Sequence, residues 1–347
     1  MRSQSPHLPG ATLTTLVRQY DAGEPLSCEP VAQGLLNRGY RLSTTRGRFF
    51  LKHHLDRRHP DGDTADPARI EQQHRVTVRL GDLGLPVVPP VPDASGRTVA
   101  VVGGRCYALH PWVDGHHRDG GELSPAQSRR LGALLGLVHV RLDQVIPASG
   151  DVAHTSADPG RTFDLIDDLL TRVRTRCRRD CFDELAEHRL RERRALLYRH
   201  AHRRPPPGAA PVTGWVHGDF HPFNLLYHDR EPGEPAAIVD WDRLAVQPRA
   251  EEAVRAAAIF FLRPGGTLDL AKIRVYARAY RGATGAGADE MAAAVHRVWW
   301  ERLNDFWMLR WRYQLRDRRT DPQFPAAAAL VVWWTGRYEE VCDAFCL

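Results

Sequence analysis

The sequence contains very little lysine. Two of its 48 Lys and Arg residues are lysines, Lys52 and Lys272, and the others are arginines. The six cysteines are scattered without a Cys-x-x-Cys motif, which favours structural thiols in a reduced cytoplasm. No apolar run approaches the roughly 20 residues of a membrane span, and the N-terminal residues lack the apolar core of a secretion signal. These features predict a cytoplasmic protein that does not cross a membrane.

Length and charge restrict the class of protein further. A chain of 347 residues is expected to form one two-lobed enzyme or two small domains, with residues 1–10 as a loose tail. The formal net charge of +6 is spread along the sequence. Because no basic module with interleaved aromatic residues accompanies this charge, we expect no nucleic-acid partner.

Three potential oxygen ligands lie in one short segment of the second half. Asp219 follows a His-Gly turn, Asn224 comes five residues later, and Asp240 follows a second apolar run. The runs 224–227 and 236–239 are separated by turn-forming residues, which predicts a β-hairpin. Such a hairpin is expected to bring the three side chains together. Carboxylate oxygens together with substrate phosphates suit Mg²⁺.

This segment resembles the catalytic core of the aminoglycoside phosphotransferase, choline kinase and type II homoserine kinase family. His217, Gly218, Asp219 and Asn224 have the spacing of that family's His-Gly-Asp-x-x-x-x-Asn loop. Residues 239–242, Val-Asp-Trp-Asp, match its metal-binding loop. The resemblance implies an α+β, two-lobed, protein-kinase-like fold, with a small antiparallel sheet in the N-lobe and a mainly helical C-lobe.

The resemblance also implies chemistry and site residues. Asp219 is expected to be the catalytic base, and Asn224 and Asp240 the Mg²⁺ ligands. The donor would be ATP or GTP, and the acceptor a hydroxyl group of a small molecule. His217 is expected to brace the loop, and Asp242 to make a secondary contact to the metal.

The first lobe should supply the nucleotide contacts. Lys52 ends an apolar run expected to be the third strand, and a lysine there can hold nucleotide phosphates. The family resemblance further implies a glycine turn and a hinge that contact the nucleotide, and a small-lobe helix, here 65–83, that carries an acidic partner for Lys52. The residues at these positions are Gly34 and Asn37 in the turn, His110 and Trp112 in the hinge, and Glu71 or Gln73 in the helix.

The remaining chain should form the second lobe. We expect residues 1–109 to bind nucleotide and residues 110–347 to carry catalysis and the acceptor, with helices at 248–262, 268–281, 289–315 and 325–345. About eight residues separate Asp240 from the helix beginning at Pro248, too few for a peptide-docking loop, which favours a small acceptor. The candidates for acceptor binding are Asn304, Asp305, Trp307, Arg310 and Trp311. The arginines nearby favour a neutral or anionic acceptor.

Two other classes of function remain open. His217, Asp219 and His221 place two imidazoles and a carboxylate close together, as in a metal-dependent hydrolase. That interpretation leaves Asn224 and the Val-Asp-Trp-Asp loop without a role. A catalytically silent nucleotide-binding module is the second alternative, because Gln73 stands where the family usually has Glu. Antibiotic resistance and natural-product biosynthesis would use the same chemistry.

Overall fold

The computed structural model describes residues 7–31, 37–55, 65–147, 155–207, 212–228 and 233–347. The described parts of 1–117 and 223–244 form one compact unit, and those of 118–222 and 245–347 form a second. The segment 223–244 therefore groups with the N-terminal residues although it lies far along the chain. The functional division at residues 109 and 110 stays a prediction.

The first unit contains a five-stranded antiparallel sheet and two helices, with the strands in the order β1-β2-β3-β5-β4. Its elements are α1 (Gly10–Gln19), β1 (Pro25–Val31), β2 (Arg38–Thr44), β3 (Gly47–His54), α2 (Pro67–Asp82), β4 (Ala100–Val102) and β5 (Arg105–Pro111). The expected third strand containing Lys52 is present as β3. Helix α1 was not predicted from the sequence.

One face of this sheet packs on α1 and forms the core of the unit. Leu16 and Tyr20 of α1 belong to the same buried cluster as Leu51 of β3 and Tyr107 of β5. Side chains alternate between the two faces of a strand. Since Leu51 points into this core, the next residue, Lys52, points to the opposite face.

The predicted hairpin is confirmed as β7 (Leu225–Tyr227) paired with β8 (Pro235–Ile238). Strand β8 also makes a parallel bridge from Ile238 to Val87. Residues 85–90, Leu-Pro-Val-Val-Pro-Pro, contribute only this bridge to a sheet, because their prolines lack the N–H group that an extended ladder requires.

The second unit is mainly helical and includes a short two-stranded sheet of β6 and β9. Its elements are α3 (Pro125–Val145), α4 (Pro159–Arg174), α5 (Cys181–His200), β6 (Thr213–Val216), β9 (Ala245–Pro248), α6 (Arg249–Phe260), α7 (Leu270–Thr284), α8 (Ala288–Asn304), α9 (Trp307–Tyr313), α10 (Phe324–Gly336) and α11 (Tyr338–Cys346). Among the described residues, no helix combines the length and apolarity needed to span a bilayer.

Two predicted helices of this unit are each divided in two. The expected helix 289–315 is interrupted at Asp305, which has an extended backbone and whose carboxylate accepts a hydrogen bond from the Trp307 N–H, at 3.0 Å. The expected helix 325–345 is interrupted at Arg337, directly after Gly336. Glycine is a poor helix former, and an Asp side chain that binds a nearby backbone N–H competes with helix continuation.

Candidate active site

Lys52 lies between two carboxylates of the segment that follows β8. Its Nζ is 2.7 Å from Oδ1 of Asp240 and 2.8 Å from Oδ1 of Asp242. Burial alone would lower the pKa of Lys52, but the two carboxylates outweigh it and hold the pKa above its usual value. The side chain is therefore a fixed ammonium on the sheet face opposite the α1 core, and such a cation can hold phosphate oxygens.

Asn224 and Asp240 flank the base of the β7–β8 hairpin. The Val239 N–H donates to the backbone carbonyl of Asn224 at 3.0 Å, so the hairpin brings the two ligand candidates of this unit to the same end. Asp240 has a left-handed backbone, with φ of 64°, a conformation that Asp tolerates better than most residues. A carboxylate and an amide oxygen at one hairpin base fit the preference of Mg²⁺ for hard oxygen ligands.

Asp242 is held from three directions. Besides Lys52, the Asn37 Nδ2 donates to Oδ2 of Asp242 at 2.5 Å, and the Gln73 Nε2 donates to the Asp242 backbone carbonyl at 2.7 Å. Asn37 also accepts a hydrogen bond from the Leu55 N–H, at 3.0 Å. The predicted turn residue Asn37 thus contacts the metal-loop segment. Gly34, the other turn candidate, lies outside the described residues.

The partner of Lys52 differs from the sequence expectation. The family pattern placed an acid on the helix, as Glu71 or in the position of Gln73. In the structure, α2 contributes Gln73, and its amide binds the backbone of Asp242 rather than Lys52. Glu71 is half-buried elsewhere on α2. The pKa of the Tyr20 phenol is raised mainly by burial, and the nearby Glu71 carboxylate adds to this shift. Both carboxylates on Lys52 come from the segment after β8.

The two hinge candidates use their polar groups inside the first unit. The His110 Nδ1 is 3.1 Å from the Val88 carbonyl, and burial lowers the pKa of His110 to about 4. The Trp112 N–H donates to the Arg48 carbonyl at 3.0 Å, and the Arg41 guanidinium lies 5.1 Å from the Trp112 ring centre. The Trp112 N–H, which a purine could have used, is therefore engaged within the sheet.

The second unit holds Asp219 in a braced loop. The Glu252 carboxylate accepts hydrogen bonds from the backbone N–H groups of His217, at 3.2 Å, and Gly218, at 2.5 Å. His139 Nε2 lies 2.7 Å from the same carboxylate. Burial would raise the pKa of Glu252, but these contacts reverse the direction and keep it ionised. Glu252 therefore fixes the backbone that presents Asp219.

His139 was not identified as a site residue from the sequence. It lies among apolar residues of α3 and is fully buried, so the pattern indicated packing. In the structure its two ring nitrogens join Glu252 to the Tyr280 hydroxyl, 3.1 Å from Nδ1. In the sequence, the only signal is a histidine among leucines and valines. Its role becomes visible when the structure places it against Glu252, which is distant in sequence.

The hydrolase alternative receives no support from the described part of the chain. His221 Nε2 is 3.6 Å from Oδ2 of Asp219, whereas His217 is buried, and its Nδ1 faces the Asp219 N–H at 3.3 Å. Among the residues that the structure describes, no group of three or more His, Cys, Asp and Glu side chains is arranged to hold a metal ion. A hydrolase of this type needs such a group.

The five acceptor candidates are distributed between the interior and the surface of the second unit. Asn304 is buried, accepts from the Thr162 hydroxyl at 2.8 Å and donates to the Trp300 carbonyl at 2.8 Å, so its amide joins α8 to α4. Asp305 is exposed, and its carboxylate accepts a hydrogen bond from the Trp307 N–H. The other three lie along α9: Trp307 and Trp311, whose rings meet edge to face at 5.7 Å, and the exposed Arg310. Asn304 is therefore a structural residue.

Comparison with known proteins identifies the family. Residues 27–286 match the model of the phosphotransferase enzyme family, and this chain belongs to that family. It has the protein-kinase-like fold and is a small-molecule phosphotransferase.

Individual relatives and solved structures agree with this assignment. A homoserine kinase from Methylobacillus flagellatus is 23% identical over 298 residues, covering 84% of this chain and 83% of the relative. The fold is similar to amicoumacin kinase hAmiN, solved in complex with AMP-PNP, Ca²⁺ and Ami, at a TM-score of 0.63 with 16% identity over 97% of this chain and 94% of the other. A microcompartment-associated aminopropanol kinase gives a TM-score of 0.62 with 16% identity over 96% and 99%.

Proposed function

We propose that this protein is a Mg²⁺-dependent kinase that moves the γ-phosphoryl group of ATP or GTP to a hydroxyl group of a small molecule. The observation that carries the proposal is the direct contact of Lys52 with Asp240 and Asp242, which joins the predicted phosphate-binding lysine to the predicted metal loop. The match to relatives that phosphorylate homoserine supports the same reaction. Neither a hydrolase nor a structural protein requires this combination.

Each residue has a separate role in this reaction. Lys52 holds phosphate oxygens of the donor, and Asn224 and Asp240 would bind Mg²⁺, which neutralises charge on the phosphates. Asp219 orients the acceptor hydroxyl and takes its proton. A bond forms between the acceptor oxygen and the γ-phosphorus, the bond from that phosphorus to the bridging oxygen breaks, and the nucleoside diphosphate leaves. Positioning and charge stabilisation supply most of the acceleration.

The acceptor is proposed to be a small neutral or anionic alcohol. The surface next to the acceptor candidates carries exposed arginines, among them Arg310 and Arg316, and polycationic acceptors would be repelled there. Homoserine, a hydroxylated amino acid, is the substrate in the names of the curated relatives. We also propose that the enzyme is cytoplasmic, because its six cysteines are free thiols.

The first experiment is a measurement of Mg²⁺-dependent ADP or GDP release with a panel of acceptors: homoserine, aminopropanol, choline, amino sugars, nucleoside antibiotics and aminoglycosides. We expect acceptor-dependent release that falls at least about 100-fold in Asp219→Asn, since a general base contributes about 10²–10⁴. Nucleotide binding, measured by displacement of a fluorescent analogue, should be retained. Asp167→Asn is the matched control, because Asp167 is an exposed partner of Arg194.

Three outcomes would contradict the proposal in different ways. Full turnover by Asp219→Asn would remove this residue as the base. Tight nucleotide binding without turnover on any acceptor would favour the silent binding module. An absence of nucleotide binding by the parent protein would remove the kinase function itself. An antibiotic acceptor would indicate resistance, and a metabolite would indicate biosynthesis.

A further inference from the structure

Gln73 stands where the family usually has Glu, and in the structure Lys52 contacts acids that do not come from α2. The helix that was expected to provide an acid provides an amide, and this amide reaches the Asp242 backbone carbonyl rather than the lysine. The two anions on Lys52 are Asp240 and Asp242, which are two residues apart on one segment. The acidic partner has thus moved from α2 to the segment after β8.

Asp242 is fixed by more contacts within the first unit than Asp240, the other partner of Lys52. Asp240 is a proposed metal ligand, and an oxygen that binds a cation is less available to Lys52. Asp242 is oriented by other contacts: its Oδ2 accepts from Asn37 at 2.5 Å, its Oδ1 accepts from Lys52 at 2.8 Å, and its backbone is held by Gln73 at 2.7 Å. Its side chain is 29% exposed, against 42% for Asp240.

We infer that Asp242 is the positioning residue that holds Lys52 for the nucleotide donor, in the role that an acid on α2 would otherwise fill, and that Gln73 is its anchor. This inference rests on the proposed kinase function. The contacts describe a chain of three side chains, Lys52–Asp242–Asn37, which also connects the lysine to the residue that directly precedes β2. Asp242 therefore aligns Lys52 and the Asn37 side chain together.

The chemistry of position 73 agrees with this exchange. Gln73 is buried, 8% exposed, and its amide donates to a carbonyl oxygen. A glutamate in the same orientation would direct a carboxylate at that carbonyl, with two acceptors facing each other and a charge removed from water. The amide at 73 therefore suits its contact with the backbone of residue 242, and it leaves the Asp242 carboxylate free to contact Lys52 and Asn37.

The inference is tested by removing the acid and by disturbing its anchor. Asp242→Asn should raise the donor KM at least tenfold while kcat for the acceptor changes less, because Asp219 is untouched. Gln73→Glu alone should also raise the donor KM, because it repels the Asp242 backbone carbonyl that Gln73 holds. In the double variant Asp242→Asn with Gln73→Glu the donor KM should rise by less than the product of the two single effects, since Gln73 acts through the carboxylate that Asp242→Asn has already removed. Asp167→Asn and Gln144→Glu, both at exposed positions, are the matched controls and should leave the donor KM unchanged.

The parent, the two single variants at positions 73 and 242, and the double variant are also unfolded in urea. This measures the coupling between the two positions without any nucleotide. An unchanged donor KM in Asp242→Asn, or single effects that simply multiply in the double variant, would overturn the inference. If the parent binds no nucleotide, the proposed function fails, and coupling of the two positions in unfolding then shows only the structural contact of Gln73 with the Asp242 backbone. If both fail, neither proposal holds.

Discussion

Glu251 is a buried acid whose ionisation should limit stability at alkaline pH. It lies in the first turn of α6 and is 2% exposed, with guanidinium nitrogens of Arg297 and Arg255 at 3.7 and 3.8 Å. Burial raises its pKa from 4.5 to about 7, although both arginines oppose the shift. Because the folded-state pKa lies above the unfolded value, the folded protein binds the extra proton between pH 4.5 and 7. Stability from this group is therefore present below pH 4.5 and lost as pH rises through 7.

Glu251→Gln should consequently be more stable than the parent at pH 8, by about 2 kcal/mol, and nearly equal to it near pH 4.5. Urea unfolding at both pH values measures the difference. Glu184→Gln is a matched control, because Glu184 also lies in the first turn of a helix but is exposed. A stability gain in the control, or none in Glu251→Gln at pH 8, would contradict the role of burial.

At the level of single residues, the sequence predicts candidate site residues but not the side chains that contact them. Lys52 and Asp240 were predicted as nucleotide and metal residues, and the structure places them 2.7 Å apart. The contacts of Gln73 and Asn37 with Asp242 span more than 160 residues of sequence. A motif records spacing along the chain, and it carries no information on which distant side chains meet. For the same reason the sequence does not reveal that the Asn304 amide contacts Thr162 of α4.

Among the helices, α9 depends on one buried arginine. The Arg312 side chain is 2% exposed and contacts carboxylates of three residues, Asp180 at 2.8 Å, Asp183 at 3.3 Å, and Asp321. Removal of one member of a buried ion network leaves charges without compensation. Arg312→Leu should therefore destabilise the protein by about 3–5 kcal/mol, measured as the free energy of unfolding in urea.

Arg318 provides an internal comparison for this prediction. It contacts the same Asp180, at 2.7 Å, but its side chain is 61% exposed. Water screens an exposed pair, so Arg318→Leu should cost about 1 kcal/mol or less. Equal losses in the two variants would show that burial does not control the strength of this network.

The sequence predicts a helix best where residues typical of helix caps mark its ends. Helix α2, expected over 65–83, begins at an Asp-Pro pair, and Asp66 caps it by accepting a hydrogen bond from the Ala68 N–H at 3.0 Å. The break before α9 was missed, although Asp305 is a residue type that caps helices, because the aromatic periodicity continues on both sides. Helix α1 was missed because it lies next to the expected tail and has an N-cap residue, Pro9, without a capping side chain.

For the molecule as a whole, buried histidines of the first unit should determine how folding responds to mild acid. His74 is 6% exposed, and burial lowers its pKa to about 2; the pKa of nearby His110, 5.6 Å away between ring centres, falls to about 4 for the same main reason. Both folded-state values lie below the unfolded value of 6.5. The unfolded chain therefore binds more protons below pH 6.5, and stability is lost as pH falls from 6.5 towards 4.

The expected loss is up to about 1.4 kcal/mol per pH unit for each such histidine. His74→Gln should flatten the fall in unfolding free energy between pH 6.5 and 4.5, whereas His202→Gln, at an exposed position, should leave it unchanged. Hydrogen exchange at pH 5 should show the increased opening in β3, β5 and α2 of the first unit, because the protons are taken up there. Opening confined to the helices of the second unit, or an unaltered slope in His74→Gln, would place the acid sensitivity in other groups. The buried histidines His74 and His110 would then contribute to packing but not to the pH dependence of stability.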